Sequence, residues 1–238
     1  MPLVAAAVCP HPPLLVPEVA GAAAGELDDL RSACDLAVGR LLATGADAVV
    51  LLGVGPVTGP VPPPATGSFQ PWGVDLDVPL VPGQPDRGAV LPLSLTVGAW
   101  LLSRHTPPPQ VTAVQVTADA GPAEVAALAA QVAAAGDRVA LLVLGDGSAC
   151  RGQQAPGYDD QRALPYDKGV ATALAEADLD ALRDLDPGLS AQLKVAGRAA
   201  WQVLADAARA GGGGWRGELL HESAPYGVAY FVASWERM

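Results

Sequence analysis

Cysteine is sparse in this sequence and odd in number: Cys9, Cys34 and Cys150, with no CxxC pair. That excludes a disulfide framework and a zinc knuckle. Lysine is rarer still, at Lys168 and Lys194 alone, and 14 basic residues face 25 acidic ones for a formal charge of -11. Such a surface repels phosphate backbones and anionic lipid, so neither a nucleic acid nor a membrane is expected as a partner. No apolar run reaches membrane length, and Leu3 to Val8 lacks a basic flank and is too short for a signal segment or a span. Val8 before Cys9 is also wrong for a lipoprotein cleavage site. A cytoplasmic location is expected.

Hydrophobic residues make up 50% of the 238 and charged ones only 16%, a balance that builds one globular core rather than a disordered chain. Alanine, glycine, proline and arginine are abundant, which fits a GC-rich bacterial genome. Leu3 to Cys9 reads as a buried strand ended by proline. Glu26 to Leu42 carries Leu27, Leu30, Cys34, Val38, Leu41 and Leu42 at helical spacing, and Ala48 to Val54 is a second buried strand. Such a β-α-β unit implies a parallel pair. Residues 55–92 are rich in proline and glycine; short strands around Trp72 to Leu76 and a capping or functional role are expected there.

Further on, Leu95 to Ser103 reads as a helix, Val111 to Thr117 as a strand and Pro122 to Ala135 as a helix with proline in its first turn. Arg138 to Leu144 is the clearest central strand. A helix opened by Pro165 follows, then two more, the last opened by Asp186-Pro187 and running to about Ala210. Trp215 to Leu220 and Tyr226 to Trp235 close the chain as strands. Alternating strands and helices predict a three-layer α/β/α sandwich over residues 1–238, with a mostly parallel sheet that turns mixed at the C-terminal strands.

In such a sheet ligands meet the loops that leave the strands' carboxyl ends. Three loops qualify: 10–17 with His11, 53–60 with Gly55, and 145–158 with Asp146, Ser148 and Arg151. Glycines 145 and 147 let backbone donors face a ligand there. Asp146-Gly147-Ser148 reads equally well as a turn that satisfies its own backbone. His105, beside prolines 107–109, reads as a solvated loop residue, and Cys34 as core.

The ordered segments CPHPPLLVPEV, AVVLLGVGP, LLVLGDGSACR with APGY and PYD, VAGRAAWQVLA and APYGVAYFVASW resemble the subunit-B fold of class III extradiol ring-cleaving dioxygenases and the related Memo-type proteins. The resemblance covers nearly the whole chain and is nearest to an actinobacterial branch. It implies an iron site of two histidines and a carboxylate, with a further histidine moving protons. His11 stands where the first metal histidine stands in that family. No histidine occurs in Gly53-Val54-Gly55-Pro56-Val57, Ala149 takes the acid/base position, and Ala196 precedes Gly197-Arg198 where Memo-type relatives carry cysteine. Alanine neither binds metal nor moves protons, so the reading expects no metal and no cofactor.

The leading expectation is therefore a metal-independent relative that binds, or does chemistry on, a small polar or aromatic metabolite. His11, Asp146 and Ser148 would be catalytic, with Gly55, Arg151, Arg198 and Tyr226 lining the ligand. Alternatives are a metal-dependent dioxygenase with relocated ligands, drawing on His221 or Glu222, and a non-catalytic interaction protein. A nucleophilic enzyme is disfavoured: Ser148 lies outside a Gly-x-Ser-x-Gly elbow, and Cys9 has only His11 near it as a base. Whether the protein is catalytic, what it binds and whether it forms a homo-oligomer are not written in the sequence.

Overall fold

The computed structural model describes residues 3–83, 88–106 and 110–238. Two apolar strands early in the chain, β1 (Leu3–Cys9) and β2 (Ala48–Val54), are almost wholly buried, as continuous hydrophobic runs require when both faces are covered. They run parallel but are not neighbours. The later strand β8 (Val139–Leu144) inserts between them and pairs in parallel with both.

The remaining strands complete the main sheet. β7 (Val111–Val116) is parallel to β2, and the two-residue β3 (Gly59–Pro60) lies antiparallel on its outer side. On the far side β10 (Tyr230–Arg237) is antiparallel to β1, and β9 (Trp215–Ser223) antiparallel to β10. Among the described residues the order is β3-β7-β2-β8-β1-β10-β9, a mixed seven-stranded sheet with a parallel centre. A three-stranded sheet of β4 (Ala65–Ser68), β5 (Asp77–Pro79) and β6 (Ala89–Val90) forms within the proline- and glycine-rich segment, but residues 72–76, expected to hold short strands, hold none. Trp72 itself sits in a single helical turn between β4 and β5, and residues 84–87 lie outside the described residues.

Strand alternation sends side chains into two cores. From β8, Val139, Leu141 and Val143 enter one, and Ala140, Leu142 and Leu144 the other. An irregularity between Leu3 and Ala5 resets β1, so Leu3 joins Ala6 and Val8 in the first core. The second core is covered by α2 (Asp28–Ala43) and α3 (Leu93–Ser103), following the short α1 (Pro17–Ala20). Glu26 and Leu27, read above as the start of the helix, instead end a tighter 3-10 segment, Gly21–Leu27. α3 is buried on nearly every side, because the main sheet lies on one flank and the small sheet on the other. A Cβ at Gly98 would come within 2.5 Å of Leu51, which is why glycine occupies the middle of this helix.

The first core is covered by α4 (Pro122–Ala133), α5 (Ala163–Glu176), the short α6 (Leu179–Arg183) and α7 (Pro187–Gln192), and α8 (Arg198–Ala210). The long final helix expected from Asp186-Pro187 is thus two helices. Asp186 caps the first through Leu189 N–H at 2.5 Å. Lys194 then adopts a left-handed φ of 54°, and the backbone stays non-helical to Gly197. Indole N–H groups tie the terminal strands to this layer, Trp235 to Leu174 O at 2.7 Å and Trp215 to Ala208 O at 3.2 Å. Among the described residues no helix is long and apolar enough to cross a membrane.

Candidate functional site

The carboxyl ends of β1 and β8 lie side by side, with Cys9 opposite Leu144. One residue further, Gly145 N–H donates to Cys9 O at 3.0 Å and prolongs the ladder. The two loops then meet through side chains. His11 backbone N–H donates to Asp146 Oδ1 at 2.8 Å, and the imidazole Nδ1 lies 3.5 Å from the same oxygen. That second separation exceeds hydrogen-bond length. Nδ1 is buried and has no hydrogen-bond partner among the described residues, while the side chains of His11 and Asp146 stay 11% and 14% exposed. Burial raises the Asp146 carboxyl above the ordinary range, opposed by the His11 charge and its backbone N–H.

Tyr230, which the sequence reading left as an ordinary strand residue, stands near both Asp146 and Tyr226. Among the described residues its hydroxyl has no hydrogen-bond partner, although the residue is only 3% exposed. Burial first, then the Asp146 charge, pushes its phenol further into the alkaline range, so it remains a neutral O–H donor at physiological pH. Tyr226 donates to Glu26 Oε2 at 2.9 Å, joining the β9–β10 turn to the 3-10 segment before α2. The Tyr226 phenol is also raised, through burial and its bond to Glu26.

The loop after β8 is stitched on both sides. Gly197 N–H donates to Asp146 O at 2.8 Å and Ala149 N–H to Leu193 O at 2.9 Å, so the break between α7 and α8 supplies its partners. On the other flank Gly147 N–H reaches Ala229 O at 2.8 Å and Arg151 N–H reaches Gly227 O at 3.0 Å. Inside the loop Asp167, from α5, is fully buried. It accepts Ser148 N–H at 2.9 Å, Ser148 Oγ–H at 2.6 Å and Arg151 Nη1–H at 3.1 Å. Sequence reasoning missed Asp167, whose partners lie 16 and 19 residues away.

These contacts place the expected site residues plainly. His11 and Asp146 come together, with Tyr230 near Asp146 and Tyr226 near Tyr230. Ser148 does not join them as a catalytic group: it is 0% exposed and its hydroxyl proton is committed to Asp167. Arg151 braces the same carboxylate. Arg198 is buried and spends its guanidinium on Gln202 Oε1, Ala118 O and Ala120 O, which holds the start of α8 and leaves no fork for a ligand carboxylate. Gly55 N–H donates to Val116 O at 3.0 Å. A Cβ on Gly55 would fall 2.0 Å from Gln115 Oε1, so the glycine makes room for that amide rather than for a ligand.

His221 Nε2 lies 2.8 Å from Ser223 Oγ, and Glu222 pairs with Lys168. His105 is half-buried rather than solvated, its Nε2 3.7 Å from Asp35, and the neighbouring prolines 107–109 lie outside the described residues. Among the described residues no group of three or more His, Cys, Asp or Glu side chains is placed to hold a metal ion. Three cavities lined by described residues, of about 440, 400 and 270 Å³, lie away from the His11–Asp146 pair: beside β3 and β7, between α4 and α8, and at Arg40 and Arg216.

No protein-family model matches the chain. No curated protein matches it either. Among solved structures it is similar to an uncharacterized protein from Escherichia coli K12, at 14% identity and a TM-score of 0.55, over 98% of this chain and 99% of that one. At that identity the likeness concerns the fold.

Proposed function

We propose that this chain is an extradiol subunit-B-like protein that works without a metal ion and binds a small polar or aromatic metabolite at the carboxyl edge of β1 and β8. The observation that carries this reading is the buried Nδ1 of His11, unpartnered among the described residues, beside the Asp146 carboxylate. A buried polar atom without a partner is costly, and a ligand that supplies the missing bond recovers that cost. The edge position agrees with where open α/β sheets take ligands.

The iron centre implied by the family resemblance does not fit the residues present. His11 and Asp146 offer two donors, and the turn after β2 and the positions of Ala149 and Ala196 offer none. We derive no step through a metal. The pair retains the means to move a proton, since burial raises the Asp146 carboxyl above the ordinary carboxylate range and an imidazole stands beside it as a second proton-transferring group. We place the protein in the cytoplasm, on its acidic composition and three unpaired cysteines.

A thermal-shift screen of small metabolites on the purified chain tests the proposal. At least one compound should raise the melting temperature of wild type and fail to do so in His11→Ala, with elemental analysis finding well under one metal per chain. Near-stoichiometric iron, zinc or manganese lost in His11→Ala would restore the metal-dependent reading.

A further inference from the structure

Resting on the site proposed above, we infer that its ligand carries a protonated amine, seated on Asp146 and flanked by the rings of Tyr226 and Tyr230.

The first argument concerns charge. Asp146 carries a carboxylate at a largely dry edge, and the groups that meet it are a backbone N–H and an imidazole with its nearest nitrogen 3.5 Å away. No lysine or arginine among the described residues pairs with it, although three guanidiniums stand around this edge. Arg31 donates to Leu15 O at 3.2 Å, to Ala24 O and to Asp28. Arg151 is held by Asp167, and Arg198 by two carbonyls and Gln202. A ligand carboxylate or phosphate arriving here would find a like charge and, among the described residues, no lysine or arginine left to pair with it. An ammonium would find an acceptor that lacks one.

The second argument comes from the rim and the walls. Glu18, Glu26, Asp28 and Asp29 lie exposed along the segment 17–29, and Glu26 reaches across to Tyr226. The Glu26 carboxylate held beside Tyr226 favours an approaching cation over an anion. Inside, Tyr230 neighbours both Asp146 and Tyr226, and its hydroxyl is without a partner among the described residues. Neutral phenol rings beside a carboxylate favour an organic cation through their negative faces.

Calorimetric titration of the full chain with benzylamine, benzyl alcohol and benzoate holds the ring constant and varies the charge. Benzylamine should bind at least tenfold tighter than benzyl alcohol, with benzoate weakest. Asp146→Asn should erase the amine's advantage, and His11→Ala should weaken all three probes while keeping their order. Circular dichroism checks that each variant is folded. If Asp146→Asn does not fold, salt takes its place: added sodium chloride should weaken benzylamine binding to wild type and leave benzyl alcohol unchanged. Benzoate binding as well as benzylamine, or an amine preference that survives Asp146→Asn or salt, overturns the inference. Should the uncharged or anionic probe bind best and respond to His11→Ala, the site stands and only the charge assignment fails. Binding by none of them, or binding indifferent to His11→Ala, removes both.

Discussion

A carboxylate buried without solvent is held in place by its donors, and Asp167 has three of them. Removing it would strand the Ser148 hydroxyl and N–H in a dry interior and release Arg151. Asp167→Ala should therefore cost about 3–5 kcal/mol, the range for breaking a buried charged network, measured as a shift in urea midpoint. Ser148→Ala removes one of the three bonds and should cost about 1 kcal/mol while leaving ligand-induced thermal shifts intact. A loss of ligand response in a stable Ser148→Ala protein would return that serine to the site. His11 and Asp146 were legible in the sequence because each directly follows an apolar strand. Asp167 and Tyr230 were not. One sits on a helix among residues of ordinary helical character, and the other in a strand run; only the folding of distant segments gives either a neighbour.

Helix α2 turns Leu30, Cys34, Val38 and Leu41 into the second core, each at most 1% exposed. Leu30→Asp places an unpaired charge there and should unfold the chain or destabilise it by about 3–5 kcal/mol, read by chemical denaturation. Where α2 meets α3, Arg104 donates to both carboxylate oxygens of Asp35, at 2.8 and 2.6 Å, and lies over the Trp100 ring. The Asp35 carboxyl is lowered chiefly by that bond, so the unfolded chain binds its proton at a higher pH than the folded one. The stabilisation is thus fully present above the unfolded value of about 3.9 and is lost as pH falls through the lower folded value. Asp35→Asn should melt below wild type at about pH 7, and the gap should narrow as the pH falls below the ordinary carboxylate range. The long strands of the main sheet and most helices could be read from runs and periods in the sequence, whereas the short strands between residues 59 and 90 could not. The break at 193–197 could not, because what ends the helix is a left-handed Lys194 and the demand of the loop after β8 for partners. Lys194→Gly should accordingly be neutral or stabilising by up to about 1 kcal/mol in the same denaturation assay.

Across the whole molecule, the class of fold followed from the alternation of strands and helices, as did the expectation that the sheet turns mixed at its C-terminal strands. The order of strands did not. Nothing local to β1 or β2 says that a strand starting at residue 139 will separate them. That arrangement has a consequence for the chain during synthesis. During synthesis β1 has both its hydrogen-bonding edges free until β8 and then β10 are made, the latter pairing Ala5 with Glu236. Nascent chains halted before residue 230 would carry β1 with an open edge and an apolar face, a surface suited to trigger-type chaperones and to aggregation.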